Sequence, residues 1–576
     1  MPVINMSIPD LSRLVGEDFS LQEFMERIPM IGASVEKVED DEIAVEFFPD
    51  RPDLFCVEGV ARAYRAFTGK EPERDLSRSM KVEGDSAMEL EVDPGMLEVR
   101  PVIGAAYITG VQIDDDALVS IMNLQEKLHI TVGRKRKKVA IGIHDADPIT
   151  GPFRFWPALP EEVEFVPLQK DGNWNLRRIL EEHEKGVDYA WTLQGLDRYP
   201  LITDSKDEVL SFPPIINGEL TRVTGRTRNI FVDCTGWDLN AVSLSVNIVC
   251  SQLLSRGGKL HSVKVRYPEG KGFEEMGLKT RTWPFFEWKE VRIDRDWAAN
   301  WLGKDLEPAE ISDSLHRMGY ENTRVEGGKI ICLAPPWRGD LLHQADIAED
   351  LAIGYGFDRF QGTDPRIPMV GSERKLTTIS RSLRSTLVGM GFLEVRTISL
   401  SNEAVQFELM GRDEVEHLRI TNPITTEHTT MRMSAIPSLL SLLRSNKHRD
   451  LPQKIFEVAD VMVGNRNRVL LGGLSEDNKA SFTEIKGIVQ RLLSDLGIKF
   501  ELVPASLGCY IRGRGAAIHI KGKEGDLKPF PELSKKGMVT LGHFGEIHPR
   551  MIAGMELSAP VSGFEMDLDA MISTIN

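Results

Sequence analysis

The sequence predicts a multidomain α+β protein. Two related small α+β domains flank a mixed α/β domain, and a fourth module follows. Three observations predict this. The length of 576 residues suits about four domains of ordinary size. A turn and helix near the N-terminus, Pro49 to Tyr64, returns in altered form at Pro335 to Tyr355. Between and beyond these copies, short apolar runs bounded by turn residues alternate with helical periodicity. The expected domains are 1–85, 86–272, 273–362 and 370–576.

Composition narrows the class. Hydrophobic residues make up 41% of the chain and charged residues 27%, the balance of ordinary globular proteins. No run of about 18 apolar residues occurs, so no membrane span is expected. The opening Met1-Pro2-Val3-Ile4-Asn5 has no basic region followed by an apolar one, so no signal peptide is expected. The five cysteines are far apart and form no Cys-x-x-Cys. That argues against a zinc site or a disulfide framework and suits a reducing cytoplasm. The formal charge of −17 makes a poor non-specific binder of nucleic acid, because neutralised phosphates supply most of that affinity. An RNA partner would need a local basic patch or a second chain.

In the first domain Ser20 and Glu23 form a capping-box pattern at the start of an amphipathic helix. A strand is expected at 43–48, a turn at 49–52 and a helix at 57–68 closed by Gly69. A polar connector runs from Lys70 to about Asp85. In the second domain five basic residues, Arg134 to Lys138, precede an apolar strand. They either guard a sheet edge or offer a patch to an RNA end. Arg222, Arg226 and Arg228 precede a β-rich run at 230–236. His144 and Asp145 are adjacent, with His129 expected one strand away; packing explains them more readily than catalysis does. No Walker A pattern, Gly-x-Ser-x-Gly or His-Glu-x-x-His occurs. Nothing here marks an activated nucleophile.

In the third domain a strand at 291–294 leads to a helix at 296–302 stopped by Gly303, then a longer helix from Glu307. The turn Pro335-Pro336-Trp337-Arg338-Gly339-Asp340 enters a helix whose apolar stripe is Ile347, Leu351 and Tyr355. Asp346, Glu349 and Asp350 share one side of it, and Asp340 lies in the turn. A hard divalent cation with oxygen ligands would relieve their repulsion. Capping and the helix dipole also favour acids there without any metal. Laid over the first copy without a gap, Arg51 matches Arg338, Asp53 matches Asp340 and Val60 matches Ile347. The acids do not carry over: Gly59, Arg62 and Ala63 stand opposite Asp346, Glu349 and Asp350.

In the last module a helix at 376–390 ends at Gly391 and a strand follows at 394–400. Gly513-Arg514-Gly515 is expected to turn a hairpin. The run Val561-Ser562-Gly563-Phe564-Glu565-Met566-Asp567-Leu568-Asp569 near the end carries three acids and no arginine.

The Arg-x-Asp turn, the spaced acids and the Gly354-Tyr355-Gly356-Phe357 run resemble phenylalanyl-tRNA synthetase beta subunits in their short archaeal and eukaryotic form. The resemblance covers essentially the whole chain. It implies an α₂β₂ heterotetramer in which the alpha subunit handles ATP and phenylalanine and charges tRNA(Phe), in the cytoplasm. It implies that 86–272 is an editing domain hydrolysing tyrosyl-tRNA(Phe). Leu201, Ser211, Asn217, Asp233 and Thr235 would line its pocket, with His129, Arg134 and Arg136 nearer the RNA end. It implies a Mg²⁺ site at Asp340, Asp346, Glu349 and Asp350, where beta meets alpha. The last module is similar to a class II synthetase catalytic domain, which implies an antiparallel sheet, but its third motif, at 561–569, has acids where an ATP-binding arginine is expected. It should therefore be non-catalytic, with Arg432 structural. Two other readings stay open: a non-enzymatic nucleic-acid-binding scaffold, and an editing deacylase that acts alone.

Overall fold

The structure is a computed structural model that describes residues 2–16, 19–70, 76–362, 364, 368–521, 530, 533 and 537–574. The centre of the expected polar connector, 71–75, lies outside them, as does Met1. The chain forms two compact units, Met1–Asp364 and Pro365–Asn576.

Within the first unit the same run of elements occurs twice. Strand Val3–Ser7, helices Ile8–Val15 and Leu21–Arg27, strands Ala33–Glu39 and Glu42–Phe47, and helix Val57–Thr68 make the first copy. Strand Lys289–Asp294, helices Arg295–Leu302 and Pro308–Arg317, strands Glu321–Glu326 and Lys329–Ala334, and helix Gln344–Tyr355 make the second. In each copy the last strand sits in the middle of a three-stranded antiparallel sheet. The helix ends follow local chemistry. Ser20 Oγ accepts from the Glu23 N–H at 3.4 Å, and Gly69 and Gly303 close their helices at φ +72° and +69°, where other residues are strained.

The turn before each final helix makes the same clasp. Arg51 donates from Nε and Nη2 to Asp53 at 2.9 and 2.8 Å. Arg338 donates likewise to Asp340 at 2.8 and 2.6 Å. Paired donors in a fixed fork match a carboxylate's geometry, so each pair fixes the angle at which its turn enters the helix.

Between the copies lies a ten-stranded sheet. Strand Val139–Asp145 forms one edge and pairs with Ile230–Gly236; the hairpin Val209–Phe212 and Ile216–Asn217 forms the other. Strand Arg281–Trp283 pairs with Lys259–Arg266, so this sheet reaches past the boundary expected at 272. The second small sheet begins only at Lys289. Trp283 is fully buried against Gly104, where a Cβ would come within 2.6 Å of the indole. His129 sits in the last turn of helix Asp115–Ile130. Arg134, Lys135 and Arg136 form a tight turn with φ of +47°, +56° and +67°.

The second unit carries a seven-stranded sheet, antiparallel except for Leu393–Glu394 beside Gln453–Val463. Alternate residues feed two cores, as a pleated strand requires. Phe456 and Leu471 pack with helices Lys375–Gly389 and Phe482–Asp495, whereas Ile455 and Leu474 pack with helix Ile436–Ser445. Two expectations fail here. The strand at 394–400 does not form. Only Leu393–Glu394 and Leu400–Ser401 pair, because Thr397 gives its N–H and hydroxyl to the Glu457 carboxylate and not to a neighbouring strand. Gly513-Arg514-Gly515 turns no hairpin; it is a bulge inside strand Tyr510–Lys521, with a register shift between Tyr510 and Gly515.

Candidate functional site

A cavity of about 800 Å³ opens along strand Val139–Asp145, a volume typical of small-molecule sites. That strand ends the sheet, so its outward backbone groups lack a ladder partner. Side chains of helix Asp115–Ile130 take them: Gln125 Nε2 donates to the Ile141 carbonyl at 2.6 Å, and the Ile141 N–H donates to His129 Nε2 at 2.8 Å. The helix also supplies an apolar wall through Leu118, Ile121 and Met122.

Asp233 enters from the neighbouring strand. It stands opposite Gly142 in register, and its carboxylate leans across that glycine. A Cβ there would lie 2.0 Å from Asp233 Oδ2 and 2.6 Å from His144 Nε2, so only glycine fits. His144 Nε2 lies 2.7 Å from Asp233 Oδ2, and its Nδ1 lies 2.8 Å from Thr221 Oγ1. All three side chains are buried. Nearby, Ser211 and Asn217 face each other across the hairpin, and Ser211 Oγ donates to Asn217 Oδ1 at 3.2 Å.

At another corner, burial pushes the His129 pKa down to about 4 against the pull of Glu126. Its ring is therefore neutral at physiological pH. Since Nε2 accepts from a backbone N–H, the ring proton is on Nδ1. His129 is a donor here and not a base. His129 and Arg136 hold the Glu126 carboxyl down at about 2. Arg136 is buried over the Tyr189 ring at 4.3 Å and donates to the Ile215 carbonyl at 2.8 Å and to Glu126 at 3.2 Å. It braces the wall.

A second cavity, about 420 Å³, is lined by Asp340, Asp346, Glu349 and Asp350, and by Asp50 and Arg51 of the first copy. Asp340 gives both oxygens to Arg338. Asp350 accepts from Arg338 and from the Tyr320 hydroxyl, both at 2.6 Å and both on Oδ2. Asp346 uses Oδ2 to cap the Leu342 and His343 N–H groups at 2.7 and 2.6 Å. Burial, then Asp350 and the other acids, push the Glu349 carboxyl up. Among the described residues no three His, Cys, Asp or Glu side chains close into a metal-holding group. The four acids expected around one ion thus share a cavity without converging.

In the second unit Arg432 is buried, paired with Glu457 at 2.9 Å and bonded to the Asp460 carbonyl at 2.8 Å. Glu565 accepts from Ser434 Oγ at 3.0 Å, and Asp567 pairs with Arg468. These motif residues are spent on each other.

Three family models match the chain: the B3/4 domain over residues 114–262, the tRNA synthetase B5 domain over 291–357, and the phenylalanyl tRNA synthetase beta chain CLM domain over 361–568. The phenylalanine–tRNA ligase beta subunit of Archaeoglobus fulgidus is 40% identical, with 100% of this chain and 99% of the relative covered. That of Methanocaldococcus jannaschii is 38% identical over 99% of this chain and 100% of the relative. The chain belongs to the phenylalanine–tRNA ligase beta subunits. A solved N-terminal fragment of the phenylalanyl-tRNA synthetase beta subunit from Pyrococcus horikoshii also aligns, at 35% identity and a TM-score of 0.57, covering 62% of this chain and all of the fragment.

This beta subunit is therefore part of the aminoacyl-tRNA synthetase that joins phenylalanine to its tRNA at the expense of ATP, and it implies an alpha partner. No helix among its described residues is long and apolar enough to cross a membrane. Of the residues the sequence pointed to in the middle domain, His129, Arg136, Ser211, Asn217 and Asp233 line the large cavity. Three do not. Leu201 packs behind it with Phe165, Leu176 and Phe212. Thr235 lies on the same strand face as Asp233, but Arg100 covers it, donating from Nε to Thr235 Oγ1 at 2.8 Å. Arg134 is exposed on its turn. Sequence reading left Glu126 and Thr221 out of the site and gave His144 no role. The Glu126–His129 spacing of three along a helix was a usable signal; the approach of His144 and Thr221 to Asp233 depends on pairing between distant segments and had none.

Proposed function

We propose that the 800 Å³ cavity is a hydrolytic editing site that removes tyrosine wrongly attached to tRNA(Phe). The buried Asp233 carboxylate at the end of a largely apolar cavity, beside Ser211 and Asn217, carries this reading. A phenol ring fits the apolar wall, and its hydroxyl pairs with Asp233. Phenylalanine would leave those polar groups unpaired, a difference that gives strong discrimination. Water is the attacking group, since no activated nucleophile lines the cavity. Arg134, Lys135 and Lys137, exposed on one turn, offer the RNA a local basic patch. Leu201 and Thr235 act behind the wall: Leu201 supports the Ser211 strand, and Thr235 anchors Arg100, which also bonds the Arg136 carbonyl at 3.2 Å.

The test is Asp233→Ala in the alpha–beta complex. Tyrosyl-tRNA deacylation should slow while phenylalanine activation is unchanged. An equal fall in both would make Asp233 structural, and no change in either would move the site elsewhere.

The same reading brings Mg²⁺ to the acidic cavity. Asp346, Glu349 and Asp350 each keep at least one oxygen uncommitted, and such donors suit a hard cation that retains several waters. Asp340 would have to leave Arg338 to join them. When bound, the ion offsets the mutual repulsion of the acids where beta meets alpha. Catalysis of aminoacylation belongs to alpha in an α₂β₂ heterotetramer in the cytoplasm, and 370–576 is a non-catalytic module. Its Arg432 is held by Glu457, and acids stand where an ATP-binding arginine is expected. The isolated chain should show no phenylalanine-dependent ATP–pyrophosphate exchange; robust exchange without alpha would overturn this.

A further inference from the structure

His144 stands just off the large cavity, whose wall includes the two residues it bonds, Asp233 and Thr221. It is fully buried, so a substrate in the cavity does not reach it. On strand Val139–Asp145 it shares a face with Gly142, over which the Asp233 carboxylate leans. Phe231 is its partner on the neighbouring strand, with 6.4 Å between ring centroids. An apolar side chain would fill this place without the cost of burying a polar ring. What the imidazole adds is its two hydrogen bonds. They make the two oxygens of Asp233 unlike. A carboxylate only accepts, so Nε2 carries a hydrogen and gives it to Oδ2 at 2.7 Å. Thr221 Oγ1, 2.8 Å from Nδ1, holds the other side of the ring, so that the ring does not turn over and present a carbon to Asp233. The last torsion of an aspartate is soft. With Oδ2 tied, the plane of the carboxylate is fixed, and Oδ1 is the oxygen left for a ligand.

We propose that His144 is a positioning residue that sets the hydroxyl specificity of this site. It ties Oδ2 of Asp233, so that Oδ1 alone is presented to the phenol. The inference rests on the editing reading above. His144 touches neither the ester nor the phenol and moves no proton in the reaction. A carboxylate free to turn would find water whenever no hydroxyl is present. Phenylalanine would then leave less unpaired, and the two amino acids would be told apart less well. Selectivity, more than turnover, depends on His144.

The test compares deacylation of tyrosyl-tRNA(Phe) and of phenylalanyl-tRNA(Phe) by the alpha–beta complex. His144→Phe suits the space beside Phe231 and removes both hydrogen bonds. It should lower kcat/KM for the tyrosyl ester by about tenfold, the worth of one hydrogen bond to a charged group, and more through KM than through kcat. The phenylalanyl ester has no hydroxyl to pair and should lose little, so the ratio of the two falls by nearly the same factor. His144→Gln offers an amide N–H in place of Nε2–H and should restore most of that ratio. Thr221→Val frees the ring to turn and should lower the ratio by a smaller factor; it keeps the test decisive if His144→Phe does not fold. Equal losses on both esters, a ratio no better with His144→Gln than with His144→Phe, or a ratio unmoved by Thr221→Val would overturn the assignment and leave the editing reading standing. Absence of any tyrosyl-tRNA hydrolysis by the wild-type complex would remove the editing reading, and this inference with it.

Discussion

The two small domains share a topology and an Arg–Asp clasp, yet their final helices are put to different uses. In the first copy the positions of the later acids are spent on packing. Gly59 lets the helix approach its own turn, where a Cβ would lie 1.9 Å from the Asp53 carbonyl oxygen. Arg62 is buried, stacks over Trp337 at 4.3 Å and donates to Ser251 and Ser255 of helix Leu239–Ser255. In the second copy Asp346, Glu349 and Asp350 instead line a cavity. The clasp belongs to the scaffold; the face beside it was free to diverge into packing in one copy and charge in the other.

Breaking the clasp should have the largest effect, and it should be unequal. Arg338→Ala leaves two carboxylates, the buried Asp350 and the half-buried Asp340, without their cation. Loss of a buried partner typically costs about 3–5 kcal/mol, and the upper end is expected. Arg51→Ala strands only Asp53 and should sit at the lower end. Urea unfolding of the full chain measures both, and equal losses would mean that Asp350 does not depend on Arg338. Next comes exchange of one position. Gly59→Asp should destabilise by about 1–3 kcal/mol through forced overpacking. Asp346→Ala, which merely uncaps a helix, should cost about 1 kcal/mol. A tolerated Gly59→Asp would show that the copies are interchangeable at this site.

Much of this contrast was legible in the sequence. The gap-free overlay aligned Arg51 with Arg338 because the turns are short and lack insertions, and the structure gives both pairs one geometry. What escaped was whatever depends on a third segment. The period of a strand puts Asp233 and Thr235 on one face, but only the fold brings Arg100 over Thr235. Five basic residues in a row suggested charges that all face solvent, as an edge guard or as a patch; three successive positive φ values turn Arg136 inward, under Tyr189. Three acids at helical spacing and one in the turn suggested one ion, whereas Arg338 and the helix N-terminus already claim oxygens of three of the four. The strand expected at 394–400 had the right residue types, but Glu457 offered Thr397 a better partner than a neighbouring backbone.

A smaller effect should follow from Tyr320→Phe, which removes one hydrogen bond to Asp350 and should cost about 1 kcal/mol in the same unfolding assay. No change would leave Arg338 as the sole support of that carboxylate.

Glu349→Ala should alter folding least. The side chain is exposed, no neighbour pairs with it in ion-pair geometry among the described residues, and surface changes usually stay within about 0.5 kcal/mol. Its removal also relieves repulsion from Asp350 and Asp50. The first copy, with Arg62 at the matching position, shows that the scaffold folds without an acid there. Association is a different matter if an ion bound at Asp346, Glu349 and Asp350 joins beta to alpha. Sedimentation of the alpha–beta mixture should then show dissociation with Glu349→Ala, and the same dissociation of the wild type in excess chelator, while the thermal midpoint of the free beta chain barely moves. An intact tetramer in chelator would return these acids to helix capping. A lowered midpoint without dissociation would put Glu349, like Arg62 in the first copy, among the packing residues and erase the contrast between the two helices.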